Sequence, residues 1–151
     1  MQRPLSSHIL EGLAPRAQIE LGYVAARLAF PYWQRAFPEK ENQLPLAEAL
    51  SRVEAFCSTG EFPADGKAVA ELAYRTVSSC DLPRGDRLRS AGFSIAHIAM
   101  APWLLAAGKS SKACHSAMVA INYSESIHSW ASKQAALRDA LVSRAQELRD
   151  A

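Results

Sequence analysis

Alanine recurs through almost every apolar segment of this chain, and prolines and glycines cut those segments into runs of helix length. Alanine enters a helix without losing side-chain entropy and is the best intrinsic helix former. No segment alternates apolar and polar residues over strand length between turn residues, so the pattern that a half-buried strand requires is missing. A chain of this kind is confined to all-α folds. What remains to be read is where its helices begin and end.

The first clear helix spans residues 16 to 37, with Ile19, Tyr23, Ala26, Phe30 and Trp33 recurring at three- and four-residue steps, the stripe of an amphipathic helix. Pro31 removes one backbone hydrogen bond and predicts a kink or break there. Residues 38 to 45 read as a charged loop between two prolines, with Pro45 as the first residue of the next helix. That helix carries Leu46, Leu50, Val53 and Phe56 on one face and stops near Gly60. Asp65 is placed to cap a helix reaching Cys80, with Val69, Leu72 and Val77 inward. Residues 81 to 85 form a further turn, Asp86 caps the helix after it, and that helix runs over residues 87 to 107 through Pro102 to a C-terminal cap at Gly108. Another starts at Ser110 or Ser111 and carries Ala113, Ala117, Ala120, Ile121 and Tyr123. The last covers residues 130 to 148, with Ala136, Leu137, Ala140, Leu141 and Leu148 against charged residues. The expectation is a compact bundle, or short stack, of about six helices joined by short loops. No exact repeat of solenoid length is visible.

The 151 residues, 49% hydrophobic and 21% charged, fit one globular domain and are too apolar for disorder. Residues 1 to 15 are expected to be a loosely ordered N-terminal segment of that domain. The net charge of +2 and the lack of a Lys/Arg cluster argue against a nucleic-acid partner; Arg84, Arg87 and Arg89 are diluted by Asp81 and Asp86. No apolar run approaches bilayer length, and the N-terminus lacks the apolar core of a signal peptide. No membrane association is expected, and the cytoplasm is the expected location. Cys57, Cys80 and Cys114 are odd in number and scattered, which suits free thiols in a reducing compartment.

Chemistry is hard to find. Glu125-Ser126-Ile127-His128 has the Glu-x-x-His step that puts two ligands on one helix face in di-iron bundles. Such a centre needs two copies and two further glutamates, whereas one copy is present, so neither a metal nor a cofactor is expected. His8, His97, His115 and His128 fall on separate elements, and His97 sits in an apolar stretch that suits a buried, hydrogen-bonded imidazole. Cys114 and His115, being adjacent on a helix, point about 100° apart and do not form a dyad. No phosphate loop, nucleophile elbow or zinc-protease pattern occurs, and an enzyme is not expected. The aromatics offer more. Tyr32 and Trp33 follow Pro31, Trp103 follows Pro102, and Trp130 opens the last helix. Core packing is the commoner fate of such residues, yet Tyr and Trp are also enriched at interface hot spots. Tyr32, Trp33 and Trp103, with Glu39 and Glu41 of the charged loop, are the candidate partner contacts.

Two stretches resemble a family of small, alanine-rich, all-helical immunity proteins of bacterial polymorphic toxin systems. The first is Tyr23-Val24-Ala25-Ala26-Arg27, then Pro38, then Pro45 through Ala49, then Phe56-Cys57-Ser58-Thr59-Gly60-Glu61; the second is Ser90-Ala91-Gly92-Phe93-Ser94-Ile95-Ala96-His97. Taken loosely, the resemblance covers about residues 20 to 125. The chain has Asn42-Gln43-Leu44-Pro45 where the family has Asp-x-Arg-Pro, and Phe56 where it tends to have Trp, so no residue role carries over. The resemblance implies stoichiometric neutralisation of a cognate toxin by covering its active surface. That task needs complementary shape and charge rather than catalytic groups. Two other readings remain open from the residues: a helical-bundle enzyme or a small-ligand or metal-binding protein, and a helical oligomerisation or scaffold domain.

Overall fold

A computed structural model describes residues 4–80 and 87–151. Among the described residues there are seven helices and no strand: α1 (Leu5–Ile9), α2 (Pro15–Ala36), α3 (Lys40–Thr59), α4 (Gly66–Ser79), α5 (Arg87–Ala106), α6 (Ser110–Trp130) and α7 (Gln134–Asp150). The all-α bundle read from the sequence is what the chain forms. The turn expected at residues 81 to 85 and the cap expected at Asp86 lie outside the described residues.

Helix α5 is the central element, packed against α2, α3, α4 and α6. It is apolar on most sides, as a helix surrounded by others must be. Glycine lets its neighbours come close. A Cβ on Gly22 of α2 would lie 2.4 Å from Ile98 Cδ1 and 3.3 Å from Ala117 Cα, and one on Gly92 of α5 would lie 2.7 Å from the Trp33 ring. The main core joins Ile19, Trp33, Leu46, Val53, Val77 and Ile95 with a lining of alanines. A second, smaller core joins Leu5 and Ile9 of α1 to Leu21, Ile121, Leu137 and Leu141. The segment expected to be loose is therefore packed from Leu5 onward. Its two apolar residues stand four apart, on one face of a helical turn, and Arg149 of α7 donates to the carbonyls of His8, Ile9 and Glu11 at 3.0–3.1 Å.

Several boundaries differ from the sequence expectation. Helix α2 continues through Pro31, which lies on its exposed side, where the carbonyl left without a donor faces water. The charged loop is in fact mostly the first turns of α3, which starts at Lys40 and has Pro45 inside it. Trp33 Nε1 donates to the Asn42 carbonyl at 2.8 Å, and Gln43 Nε2 donates to the Phe37 carbonyl at 3.3 Å. These bonds hold the turn against the end of α2, and its charged residues simply face solvent. Asp65 precedes α4 without a capping bond from its side chain. It pairs instead with Arg52 of α3 through two contacts of 3.0 and 2.9 Å. The inward residues of α4 are Ala70, Ala73 and Val77, while Leu72 is 43% exposed: it lies off the stripe that Ala70, Ala73 and Val77 define.

At Gly108 the expected cap is present. Its φ is +78°, Lys109 N donates to Leu104 O at 2.9 Å and Gly108 N to Leu105 O at 3.0 Å, the paired bonds of a Schellman ending. Helix α6 closes the same way with Ser132, at φ +59°, where glycine is usual. Lys133 N reaches His128 O at 2.7 Å. Trp130 thus ends α6 rather than opening α7. On α7 the buried residues are Leu137, Leu141 and Ala145; Ala136 is exposed, and Ala140 and Leu148 are half-buried.

Candidate functional site

On α5, the half-buried residues Phe93, His97, Met100 and Trp103 recur at steps of four, three and three, while Leu88, Arg89 and Leu105 are half-buried toward its ends. The first four form a ridge along the helix that the core does not cover. Tyr74 of α4 leans on it from one side, its ring 5.7 Å from Phe93 and 6.0 Å from His97. Tyr123 of α6 leans from the other, 5.6 Å from both rings and within 22° of parallel to the imidazole. Farther along, Glu71, Tyr74, Arg75, Met100 and Trp103 line a largely apolar groove of about 380 Å³. Lys67 Nζ stands 5.3 Å from the centre of the Trp103 ring, a cation–π distance. The indole N–H of Trp103 is buried without an acceptor among the described residues, so packing and that ammonium hold the ring.

The imidazole of His97 is pushed below its ordinary value of 6.5, by burial first and by the nearby His115 second. It is therefore neutral at physiological pH and behaves as one more ring of the cluster. The residues that complete this face, Tyr74, Phe93, Met100 and Tyr123, are absent from the sequence-based candidates. The spacing of the α5 ridge is visible in the sequence. Which stripe of a mostly apolar helix stays uncovered is decided by the packing of α4 and α6.

The five candidate contacts are not gathered in one place. Trp103 lies in the face just described. Trp33 is a correction: it is 0% exposed, sealed in the core with Phe37 at 4.3 Å, and cannot reach a partner. Tyr32 is half-buried, edge-on to His128 at 5.2 Å and with Arg35 over its ring at 5.4 Å. Glu39 and Glu41 are exposed at the start of α3, where carboxylates favour the positive end of the helix dipole.

Glu125 and His128 have different surroundings. Glu125 lines a polar cleft with Asn122, Ser129 and Arg138. His128 is buried, with Nδ1 2.8 Å from the Ser124 carbonyl oxygen. Among the described residues, no three His, Cys, Asp or Glu side chains group as metal ligands. The three cysteines are free. Burial, helped by Glu20, pushes the Cys57 thiol up to about 12, and burial raises Cys80 and Cys114 as well. Thiols held protonated in this way are poor nucleophiles.

A second depression, of about 430 Å³, lies between α2, α3 and α7 and includes Glu20, Tyr23, Arg27, Glu54 and Arg144. Its groups are mostly engaged with one another. Tyr23 donates to Glu54 at 2.8 Å, Arg144 forks onto Glu20 at 3.0 and 3.1 Å, and burial followed by the Glu54 bond raises Tyr23 to about 12. No helix among the described residues is long and apolar enough to cross a membrane. No protein-family model, curated protein or solved structure matches the chain.

Proposed function

We propose that this protein acts by binding another protein, and that it is an immunity-type inhibitor that neutralises a cognate toxin by stoichiometric complex formation. The observation that carries the binding role is the uncovered ridge of Phe93, His97, Met100 and Trp103 on α5, flanked by Tyr74 and Tyr123. Aromatic and methionine side chains are the types enriched at protein interfaces, and a rigid helical frame holds them in place without an ordering cost on binding. The toxin as partner comes from the resemblance of residues 20 to 125 to helical immunity proteins. The near-neutral charge of +2 favours a target other than a nuclease, whose inhibitors are commonly acidic mimics of nucleic acid.

Co-expression with a toxin encoded next to this chain's gene tests the proposal, and the absence of any such toxin would refute it. Growth should be restored by this chain and the two proteins should copurify in equal amounts. A toxin that still kills at full expression of this chain would refute the immunity role.

A further inference from the structure

We propose that the face formed by α4, α5 and α6 receives an acidic amphipathic helix of the partner. This rests on the binding role above and adds the chemistry of what is bound. Trp103 stands ten positions after Phe93, about 15 Å of helix or nearly three turns. A ridge of that length beside a groove suits a helix that lays apolar residues at i, i+3, i+4 and i+7 along it. Met100 is an adaptable contact within it.

Charge decides the sign of the occupant. Along α4, α5 and α6 the carboxylates are Glu71 and Glu125, against Lys67, Arg75 and Lys112, while Arg87 and Arg89 follow Asp81 and Asp86 in the sequence and add no excess charge. By contrast, α3 alone carries Glu41, Glu48 and Glu54. Glu125 opens onto the cleft near Leu5 and Arg138, away from the ridge. Glu71 stands four residues from both Lys67 and Arg75 and offsets one of them. Lys112 and His115 share a helix face with Tyr123 by their three- and four-residue steps through Val119. The rim is thus net positive around an apolar centre. Carboxylates flanking an apolar stripe complement it, whereas a basic helix would meet Lys67, Arg75 and Lys112. An anionic bilayer would also be drawn to the charge, but the ridge is half-buried and runs beside a groove that a helix can enter.

Fluorescence polarisation with the full-length protein tests this. The probes are a labelled peptide of about 18 residues with Leu on one helical face and Glu on the other, and the same peptide with Lys for Glu. Vesicles of phosphatidylserine and phosphatidylcholine serve as competitor. The Glu peptide should bind saturably and one-to-one, more weakly as salt rises, and the Lys peptide should not. Met100→Glu should weaken binding about tenfold or more, and so should the surface pair Lys67→Glu with Lys112→Glu, whose exposed positions leave folding intact. Absence of Glu-peptide binding, equal binding of both peptides, indifference to these variants, or displacement by vesicles would overturn the inference. Growth rescue that survives the same variants would remove this face while leaving toxin neutralisation standing. Peptide binding by a chain that rescues nothing would do the reverse.

Discussion

Trp33 and Trp103 show what a single residue can and cannot reveal. Both are tryptophans just past a proline inside a helix, and only the amphipathic stripe of α2, which includes Trp33, separates them locally. One is sealed under Gly92 and Val77, and the other is left beside Lys67. The difference arises from which helices cross at each point. Gly92 sharpens this into a prediction. Alanine in a helix interior normally gains about 1 kcal/mol over glycine, but here the added methyl group would press on the fully buried Trp33 ring at 2.7 Å and on Val77 at 2.8 Å. Overpacking costs about 1–3 kcal/mol and should dominate, so Gly92→Ala should lower the thermal midpoint, read by circular dichroism.

His97 adds a pH dependence at the same scale. Its folded value lies below the ordinary 6.5, so between the two values the unfolded chain binds more protons at this ring. The stability it contributes is complete above about 6.5 and is lost as the pH falls through the lowered folded value. The ring faces Tyr74 of α4, Phe93 of its own helix, and Tyr123 and His115 of α6. No carboxylate in that set would favour the charged form. Urea titrations of wild type should weaken from pH 7.5 to 5.5, and His97→Phe should flatten that slope.

At the scale of elements, helix existence was readable and helix limits were less so. Gly108 was legible because its backbone requirement is local, whereas Ser132 makes the same ending without the glycine that signals it. The start of α3 is less legible because a charged, proline-bounded run has loop composition, and the bonds of Trp33 and Gln43 that fix it to the end of α2 are tertiary. The hydrophobicity of Leu72 predicts an inward position, although the buried stripe of α4 is Ala70, Ala73 and Val77. Helix α1 is hidden for a different reason: five residues are too few to be helical alone, and its stability comes from packing on α2, α6 and α7 and from Arg149. Arg149→Ala should therefore loosen α1 selectively, at a cost of about 1 kcal/mol. Limited proteolysis should show faster cleavage within residues 4 to 14, with little change in the rest of the bundle.

For the whole molecule, the all-α class follows from composition and period, because every segment prefers the same local state. The candidate site does not, since it is made from what three helices leave uncovered. Periodicity places Phe93, His97, Met100 and Trp103 on one stripe, but α5 is apolar on nearly all sides and its sequence does not say which stripe stays open. The central claim is that the protein works through this face on a protein partner. Calorimetric titration of a toxin whose killing this chain suppresses, into wild type and into Met100→Glu, tests it most directly. The expected result is one-to-one binding by wild type and a loss of about tenfold or more in affinity for the variant. Equal affinity for both, or no binding heat with either, would contradict it.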